Sequence, residues 1–400
     1  MSYAGDRLMA LAAVLATAAI AGCGSRSEAP LSQQAYVWQR TWTSAVSQAV
    51  RDVPRSVSVW RVLVAETDAT GGWRRFDPDV TALESGHRAL IAVIRIDGQR
   101  RVADADLLAG DILRTFETLP DGVWGSLEID YDCPTNGLSR YARLLTDLRS
   151  GLPSDIGLSI TALPAWIGSD HLRDLLSIPD QSVLQVHSVI DPHRGLFDPT
   201  LARAWIEAYA RVSPRPFSVA LPDYGSRVEF DTKGRLVDVI SEDEDPGPER
   251  AGEELQADPV SVAGFLAALR VNHPSSLRGV VWFRLPVEGD QRSWSTATWR
   301  RVMSGEALMP RLVIGVLKDS YGAYQIRLSN SGNVDAPMPG LVVVPVGCPE
   351  ADGEDLYAVQ QRADRTVWRL SAARWLPVGH SVRVGWIRCR FEEKGVHLED

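Results

Sequence analysis

Three carboxylates, Glu128, Asp130 and Asp132, alternate with apolar residues in the short stretch 123–134. Successive side chains of a β-strand point to opposite faces, so a strand here would carry all three acids on one face and apolar residues on the other. Acids on a core strand are costly to bury unless they meet water, cations or substrate. This conflict between burial and charge makes the stretch the first candidate for chemistry.

Two of these acids suit acid–base catalysis. Like charges at close range push pKa values apart, so one carboxyl can keep its proton while its neighbour is ionised. Cleavage of a glycosidic bond needs an acid for the leaving oxygen together with a base, a nucleophile or an orienting anion. We therefore expect Asp132 to be the proton donor and Asp130 its partner, with Asp223 or Glu66 as a second carboxylate across the site.

The deepest acid, Glu128, is expected to have a mainly structural role. An inward-facing arginine would neutralise it, and Arg40, Arg95 and Arg284 are the candidates. A metal-dependent hydrolase, with Asp130, Asp132 and His187 as ligands, is an alternative, but the sequence has no cluster with the spacing typical of a metal site. We expect neither a metal nor a cofactor.

The elements that must position these residues alternate regularly between residues 35 and 308. Short apolar segments, several of them apolar on both faces, are separated by amphipathic helical segments. Eight such units predict a (β/α)8 TIM-like barrel, with a doubly wound open sheet as the alternative. The predicted strands are 36–40, 57–65, 89–96, 125–131, 157–162, 183–187, 217–221 and 279–285.

Catalytic and binding groups of such barrels lie at the carboxyl ends of the strands. These ends are unusually polar here, and flat tryptophan rings beside them could stack on sugar rings, although each ring taken alone is more often core packing. For His187, a satisfied core histidine is about as plausible as a substrate contact. The predicted substrate-binding residues are Glu128, Trp38, Arg40, Thr161, Trp166, His187, Asp223, Trp282 and Arg284.

Two further regions flank or interrupt the barrel. An insertion at 224–255, after the seventh strand, holds a predicted hairpin and an acidic run at 241–248, which is typical of a solvated loop. From 309 to 400, short apolar segments are separated by Gly-, Pro- and Asn-rich turns, which predicts a small all-β, sandwich-like domain.

The first residues have the pattern of a secretory signal. A basic residue precedes an apolar run that is too short for a comfortable membrane span and ends in small residues before Cys23. A cysteine at this place resembles the bacterial lipobox, in which it becomes the lipidated first residue; an ordinary signal peptide is the alternative. We expect a signal over 1–23, lipid attachment at Cys23 and a tether over 24–34. The protein would then face the periplasm, at the outer membrane if the cell has one.

The charge and the cysteine content restrict the possible binding partners and the pairing of the cysteines. The net charge is −9 with no basic block, so nucleic acid is a poor partner. Cys348 and Cys389 could form a disulfide in an oxidising compartment, which would leave Cys133 as a free bystander thiol. The sequence does not indicate an oligomeric state.

The residues from Gly125 to Asp132 resemble the fourth-strand signature of family-18 chitinase-type barrels. In that signature a glycine is followed by acids at alternating positions, and the last acid, a glutamate, is the proton donor. This chain has Asp132 at that position. The resemblance implies a glycosidase-like barrel with its site on the fourth strand.

A broader resemblance covers most of the barrel. The segments 36–42, 128–134, 158–166 and 185–187 are together similar to a family of uncharacterised bacterial proteins, secreted or lipid-anchored, with a glycosidase-like TIM barrel. The resemblance implies the fold and the location of the site but no substrate. We therefore expect an envelope lipoprotein that hydrolyses or binds a carbohydrate, with glycoside hydrolase as the enzyme class if it is catalytic. The alternative is a non-catalytic binding or scaffold lipoprotein.

Overall fold

A computed structural model describes most of the chain. The described residues are 26–27, 30–68, 70–98, 105–187, 195–231, 233, 236–240 and 252–399. The predicted signal, the lipidation site Cys23 and most of the tether lie outside them, as does the acidic run at 241–248. Of the helices that are described, none is both long and apolar enough to cross a membrane.

Eight parallel strands form a closed barrel. The first strand pairs with both the second and the last, which closes the sheet and rules out the doubly wound alternative. The predicted (β/α)8 architecture is therefore confirmed. The strands are β1 (Ser32–Val37), β2 (Val57–Thr67), β3 (Ala89–Ile96), β4 (Ser126–Tyr131), β5 (Gly157–Ala162), β6 (Gln181–Gln185), β7 (Phe217–Pro222) and β8 (Leu277–Phe283).

One α-helix follows each barrel strand. Asp198 and Asp258 cap two of them, because each carboxylate accepts hydrogen bonds from backbone N–H groups of the first turn and a proline follows at the first helical position. The helices are α1 (Ser44–Asp52), α2 (Val80–Glu84), α3 (Ala105–Glu117), α4 (Leu138–Gly151), α5 (Leu172–Ser177), α6 (Pro199–Val212), α7 (Pro259–Val271) and α8 (Thr296–Ser304).

Three predicted strands lie earlier in the chain than expected. β1 ends at Val37, β6 at Gln185 and β8 at Phe283, so Arg40, His187 and Arg284 belong to the loops that follow them. The prediction followed the aromatic and apolar residues, whereas β1 includes polar side chains, Gln33 and Gln34, that form hydrogen bonds. All three residues still lie at the carboxyl end of the barrel.

Two hydrophobic clusters fill the barrel domain. The larger lies between the strands and the helices and contains the outward-facing residues of β4, Leu127, Ile129 and Tyr131. The smaller fills the interior of the barrel and includes Tyr36 and Trp38 from β1 and the loop after it. The polar positions of β4 therefore face the interior.

The insertion after β7 forms a three-stranded antiparallel sheet. Its strands are Gly225–Phe230, Leu236–Ile240 and Gly252–Gln256, with the first in the centre. The predicted hairpin is present, and a third strand, which the sequence did not reveal, completes it. Smaller elements elsewhere in the barrel domain are the strands Arg26–Ser27, Trp73–Arg75 and His273–Pro274 and the 3₁₀ turns Thr135–Gly137 and Pro164–Trp166.

The C-terminal domain consists of antiparallel sheets around one core. Residues of both four-stranded sheets, among them Ile326 and Trp368, share that core. A disulfide joins Cys348 and Cys389, whose Cα atoms lie 5.9 Å apart, as the sequence suggested. The strands are Leu312–Lys318, Tyr324–Asn330, Ala336–Pro337, Leu341–Val344, Ala351–Gly353, Tyr357–Gln361, Thr366–Leu370, Trp375–Leu376, Ser381–Ile387 and His397–Glu399, and a 3₁₀ turn lies at Glu393–Gly395.

Candidate active site

The three acids of β4 occupy successive depths of the barrel. Glu128 is fully buried, Asp130 is 6% exposed, and Asp132 follows the end of the strand and is exposed to solvent. The alternation of side chains along the strand therefore gives a column of carboxyl groups that rises from the interior to the mouth. Each level has different neighbours.

Glu128 is neutralised at the bottom of this column. Its carboxylate forms an ion pair with Arg61 of β2 and accepts hydrogen bonds from the hydroxyls of Tyr36 at 2.7 Å and Ser159 at 2.6 Å. The structural role is as expected, but the predicted partners Arg40, Arg95 and Arg284 are wrong. Glu128 was also predicted to bind substrate; its oxygens are engaged and it has no exposed surface in this structure.

Asp130 is held at the middle level. The Thr161 hydroxyl donates to its Oδ1 at 2.7 Å, the Gln185 amide donates to the same oxygen at 3.4 Å, and Arg95 Nε lies 4.0 Å from Oδ2. Burial raises the pKa of Asp130, and the Thr161 hydrogen bond and the Arg95 charge oppose that rise. These contacts fix the orientation of the carboxyl group.

Asp132 stands free at the mouth. Among the described residues it forms no hydrogen bond or ion pair. Although water reaches the residue, the surrounding protein partly desolvates its carboxyl group and raises the pKa to about 6; the charges of Asp130 and Asp97 add to the rise and Arg95 opposes it. A Cβ atom at Gly98 would lie 3.0 Å from the Cβ of Asp132, so only glycine allows this close approach of the β3 loop.

An arginine-rich ion-pair network forms the wall beside β2 and β3. Glu66 accepts from Nε of Arg40 at 2.8 Å and from its Nη2 at 2.7 Å, and Arg95 Nη1 lies 3.7 Å from the same carboxylate. Arg95 thus lies between Glu66 and Asp130. Arg40, which was predicted to bind substrate, therefore lies in the site region as the ion-pair partner of Glu66.

Aromatic rings form the opposite wall. The Phe283 ring stacks on His187 with ring centroids 5.6 Å apart, and Tyr224 shares a 3.2 Å hydrogen bond with Nδ1 of His187. Burial lowers the pKa of His187 to about 4, so the imidazole is neutral near neutral pH. Its Nε2 atom is buried with no hydrogen-bond partner among the described residues.

Asp223 lies behind this wall at the end of β7. Neither oxygen of its fully buried carboxyl group has a hydrogen-bond partner among the described residues. Burial raises its pKa well above the ordinary aspartate value, although the Arg284 charge opposes the rise. Arg284 itself donates to Asp290 at 2.6 Å. Of the two second carboxylates that we considered, Glu66 therefore reaches solvent and Asp223 does not.

The predicted tryptophans do not form a sugar platform. Trp166 and Trp282 are fully buried between the barrel and its helices, where their indole N–H groups donate to the Cys133 carbonyl at 2.7 Å and to Gln33 at 2.9 Å. Trp282 lies on the outward face of β8 and Trp166 lies in the 3₁₀ turn after β5, so neither ring is accessible from the mouth of the barrel. Trp38 is 6% exposed and packs inside the barrel against Phe283, with ring centroids 5.1 Å apart.

The sequence analysis missed several residues of the site region. Arg61 stands between Trp60 and the apolar run 62–65 of β2, much as the acids of β4 stand between apolar residues, and this signal could have identified it. Asp97 follows β3 and acts electrostatically on Asp132. Nothing in a single sequence shows that Tyr36, Ser159 and Tyr224 contact these groups. No group of three or more His, Cys, Asp or Glu side chains is arranged to hold a metal ion in the part of the chain that is described.

Family models match both domains. One, described as a domain of unknown function and named DUF3142, matches residues 86–288, from just before β3 to just after β8. Another domain of unknown function, DUF8456, matches residues 315–390. Neither description names an activity. No curated protein matches the sequence.

Several solved structures are similar in fold. The spore cortex-lytic enzyme SleL of Bacillus cereus is 14% identical with a TM-score of 0.49 over 69% of this chain and 74% of that one. A chitinase from Chromobacterium violaceum is 14% identical with a TM-score of 0.48 over 69% and 99%. Chitinase ChiA74 from Bacillus thuringiensis is 9% identical with a TM-score of 0.42 over 91% and 99%. Nothing about the chemistry of this chain follows from similarity at this level.

Proposed function

The chain belongs to the DUF3142 family, whose description assigns no activity, and we propose that it is a glycoside hydrolase with its site at the carboxyl end of the barrel. One observation supports this most strongly. Asp132 presents an unpaired carboxyl group at the mouth, two residues after the buried and hydrogen-bonded Asp130. A general acid needs this combination of access and a neighbouring oriented carboxylate.

The proposed mechanism divides the work between the two acids. Asp132, with a pKa of about 6, keeps a proton under mildly acidic conditions and donates it to the glycosidic oxygen as the bond to the leaving group breaks. Asp130, oriented by Thr161 and Gln185, carries the charge that remains on the pair and favours the positive charge developing on the sugar ring. A water molecule entering from the mouth then adds to the sugar carbon and gives a proton to the Asp132 carboxylate, which completes the hydrolysis and restores the donor. Arg95 links this pair to Glu66, the solvent-accessible second carboxylate.

A glycan screen tests this proposal. The purified protein is incubated with a panel of envelope and plant glycans beside Asp132→Asn, Asp130→Asn and Asp155→Asn, the last an exposed aspartate in the loop between α4 and β5, at the opposite end of the barrel. We expect turnover of at least one glycan, a loss of about 10²–10⁴-fold in Asp132→Asn, and no loss in the control. Equal turnover by all three variants would contradict the assignment.

A non-catalytic carbohydrate-binding lipoprotein is the second candidate. Asp132 has a shorter side chain than the glutamate donor of the chitinase-type signature, and the predicted rings Trp166 and Trp282 are buried away from the mouth. If the screen detects glycan binding but no turnover, and Asp132→Asn binds as the unaltered protein does, this reading replaces the hydrolase.

We also propose that Cys23 carries a lipid that anchors the protein at the periplasmic face of the envelope, at the outer membrane where the cell has one. The proposal rests on the signal-like run and the small residues before this cysteine. Cells grown with a labelled fatty acid are expected to incorporate label into the protein and not into Cys23→Ser. Label in both forms, or in neither, would refute the anchor.

A further inference from the structure

One edge of the C-terminal domain is exposed and apolar. The strand Leu312–Lys318, here called the edge strand, is the outermost of its four-stranded sheet and pairs only with Tyr324–Asn330 among the described strands. Edge strands are usually protected by charges, prolines or bulges because their free N–H and C=O groups can pair with another chain. The edge strand has no proline and no bulge, and its one charge is Lys318 at its last position.

The apolar surface is confined to this strand. Val313 is 40% exposed and Leu317 is 58% exposed, on the face that points away from the core. Directly beside them on the neighbouring strand, the partners in register are polar, namely Ser329 and Gln325. A solvated sheet face would be expected to stay polar up to its edge. The change of character at the last strand indicates that the edge is covered.

The sequence around the edge strand is symmetric about Gly315. Exposed apolar residues lie at equal distances on either side, with Val313 and Leu317 two positions away and Met309 and Tyr321 six positions away. These four account for half of the eight large apolar residues exposed among the described residues. Opposite charges are also matched: Arg311 and Asp319 lie four positions from Gly315 on either side.

Such symmetry is what an antiparallel pair of identical strands requires. A twofold axis at Gly315 would bring Val313 of each copy opposite Leu317 of the other, on the same face. It would also bring each Arg311 opposite an Asp319. Because opposed residues of an antiparallel pair share a face, the neighbouring registers are shifted by two residues. They would place Leu317 opposite Arg311 or Val313 opposite Asp319 and leave the charges without partners, so the charges select one register.

We propose that the protein forms a twofold-symmetric homodimer in which two edge strands pair antiparallel about Gly315. The two four-stranded sheets join into one continuous sheet. Two pairs of Val313 and Leu317 cover each other on its outer face, and an Arg311–Asp319 ion pair closes each end. The occupant of the edge is thus a second copy of this chain, because the charges and apolar side chains of the edge strand complement those of an identical strand running in the opposite direction.

A cysteine at the axis tests the register directly. Paired residues at a twofold axis face their own copies at the Cα separation of an antiparallel pair, which is within the range for a disulfide. A Cβ atom at Gly315 would lie 3.9 Å from its nearest neighbour, the Arg327 carbonyl oxygen, so Gly315→Cys fits. Under mild oxidation we expect a covalent dimer of Gly315→Cys and none of Val316→Cys, whose partner across the axis is residue 314. Equal cross-linking of both, or of neither, would overturn the proposal.

Charge reversal tests it without a covalent bond. Sedimentation velocity over a concentration series compares the unaltered protein with Arg311→Asp, with Arg311→Asp combined with Asp319→Arg, and with Val271→Asp, which alters a remote exposed residue of α7. We expect self-association that is weakened about tenfold in Arg311→Asp and unchanged in Val271→Asp. The double variant should recover part of it, because Asp319 Oδ1 also accepts hydrogen bonds from the backbone N–H groups of Tyr321 and Ala323 in the turn after the edge strand. A monomeric unaltered protein at every concentration, or association that is insensitive to Arg311→Asp, would contradict a dimer through this edge.

Discussion

Asp130 and Asp132 have chemically identical carboxyl groups, but the surroundings of the two groups differ. Thr161 and Gln185 hold Asp130 in place, whereas Asp132 has water on one side and charged protein groups on the other. Both pKa values are raised, with desolvation as the largest cause. For Asp132 this favours the neutral form, which suits proton donation and opposes stability at higher pH. For Asp130 the Thr161 hydrogen bond and the Arg95 charge counter the rise and favour the ionised form that its role requires.

The raised pKa of Asp132 predicts that the stability of the fold depends on pH. A carboxyl group whose pKa is higher in the folded than in the unfolded protein stabilises the fold below the ordinary aspartate pKa, and this contribution is lost as the pH rises through about 6. Asp132→Asn cannot ionise, so its melting temperature at pH 8 should equal or exceed that of the unaltered protein, whereas the two should agree near pH 4. Thermal melts across this range measure both. A variant that melts lower at pH 8 would show that the ionised group stabilises the fold.

Asp223 should cause a larger loss of stability with rising pH than Asp132 does. Its carboxyl group is fully buried, its oxygens have no hydrogen-bond partner among the described residues, and burial raises its pKa. Asp223→Asn is expected to fold. Between pH 5 and pH 9 its melting temperature should fall less than that of the unaltered protein. Glu306→Gln, at an exposed carboxyl group, is the control. If Asp223→Asn instead melts lower at every pH, Asp223 is an ionised partner of Arg284.

At the scale of elements, β4 depends on β2 for the arginine that neutralises its buried acid, Glu128. Glu128 is buried together with Arg61, whose guanidinium is also fully buried and has its pKa lowered by desolvation. Removing one member of such a pair leaves a buried charge without its partner, so Arg61→Met should lower the free energy of unfolding by about 3–5 kcal/mol. Arg61→Met combined with Glu128→Gln should recover part of this loss. Chemical denaturation measures each; additive losses would mean that the two side chains do not interact.

The helix caps offer a milder test of local order. Asp198 accepts hydrogen bonds from the backbone N–H groups of Thr200 at 2.8 Å and Leu201 at 3.0 Å at the start of α6. Asp198→Ala should cost about 1 kcal/mol of unfolding free energy. Asp155→Ala, at an exposed loop position without such a role, should cost close to nothing. Equal effects in denaturant titrations would contradict the cap.

The barrel elements were predictable because their signals are local. Alternating apolar segments and capping residues such as Asp198 define where strands and helices lie, and the column of acids on β4 follows from the alternation of a strand. The position of Arg61 among apolar residues marks it as unusual, but its pairing with Glu128 could not be predicted, because which arginine meets this acid depends on the stagger between strands. The burial of Trp282 depends on which face of β8 the ring occupies, and that of Trp166 on how the 3₁₀ turn after β5 packs.

At the scale of the whole molecule, the C-terminal domain has its own reinforcement. The disulfide between Cys348 and Cys389 closes a loop with a sequence separation of 41 residues. The domain also contacts the barrel, where Asp335 accepts a hydrogen bond from the N–H of Ser295 at 2.6 Å. Cys348→Ser with Cys389→Ser should lower the stability of this domain by about 2–4 kcal/mol, since the loop is free in the unfolded chain. Calorimetry of both forms measures the difference. An unchanged transition would show that the bond contributes nothing.

The central claim, that Asp132 is the proton donor, is tested most directly by changing the leaving group of the substrate. On a glycan from the screen, Asp132→Asn should lose about 10²–10⁴-fold in kcat/KM, because an alkoxide leaves poorly without a proton. On an aryl glycoside of the same sugar, whose phenolate leaves without protonation, the loss should shrink to about tenfold or less, whereas Asp130→Asn should remain impaired on both. Equal losses of Asp132→Asn on the two substrates would contradict the assignment.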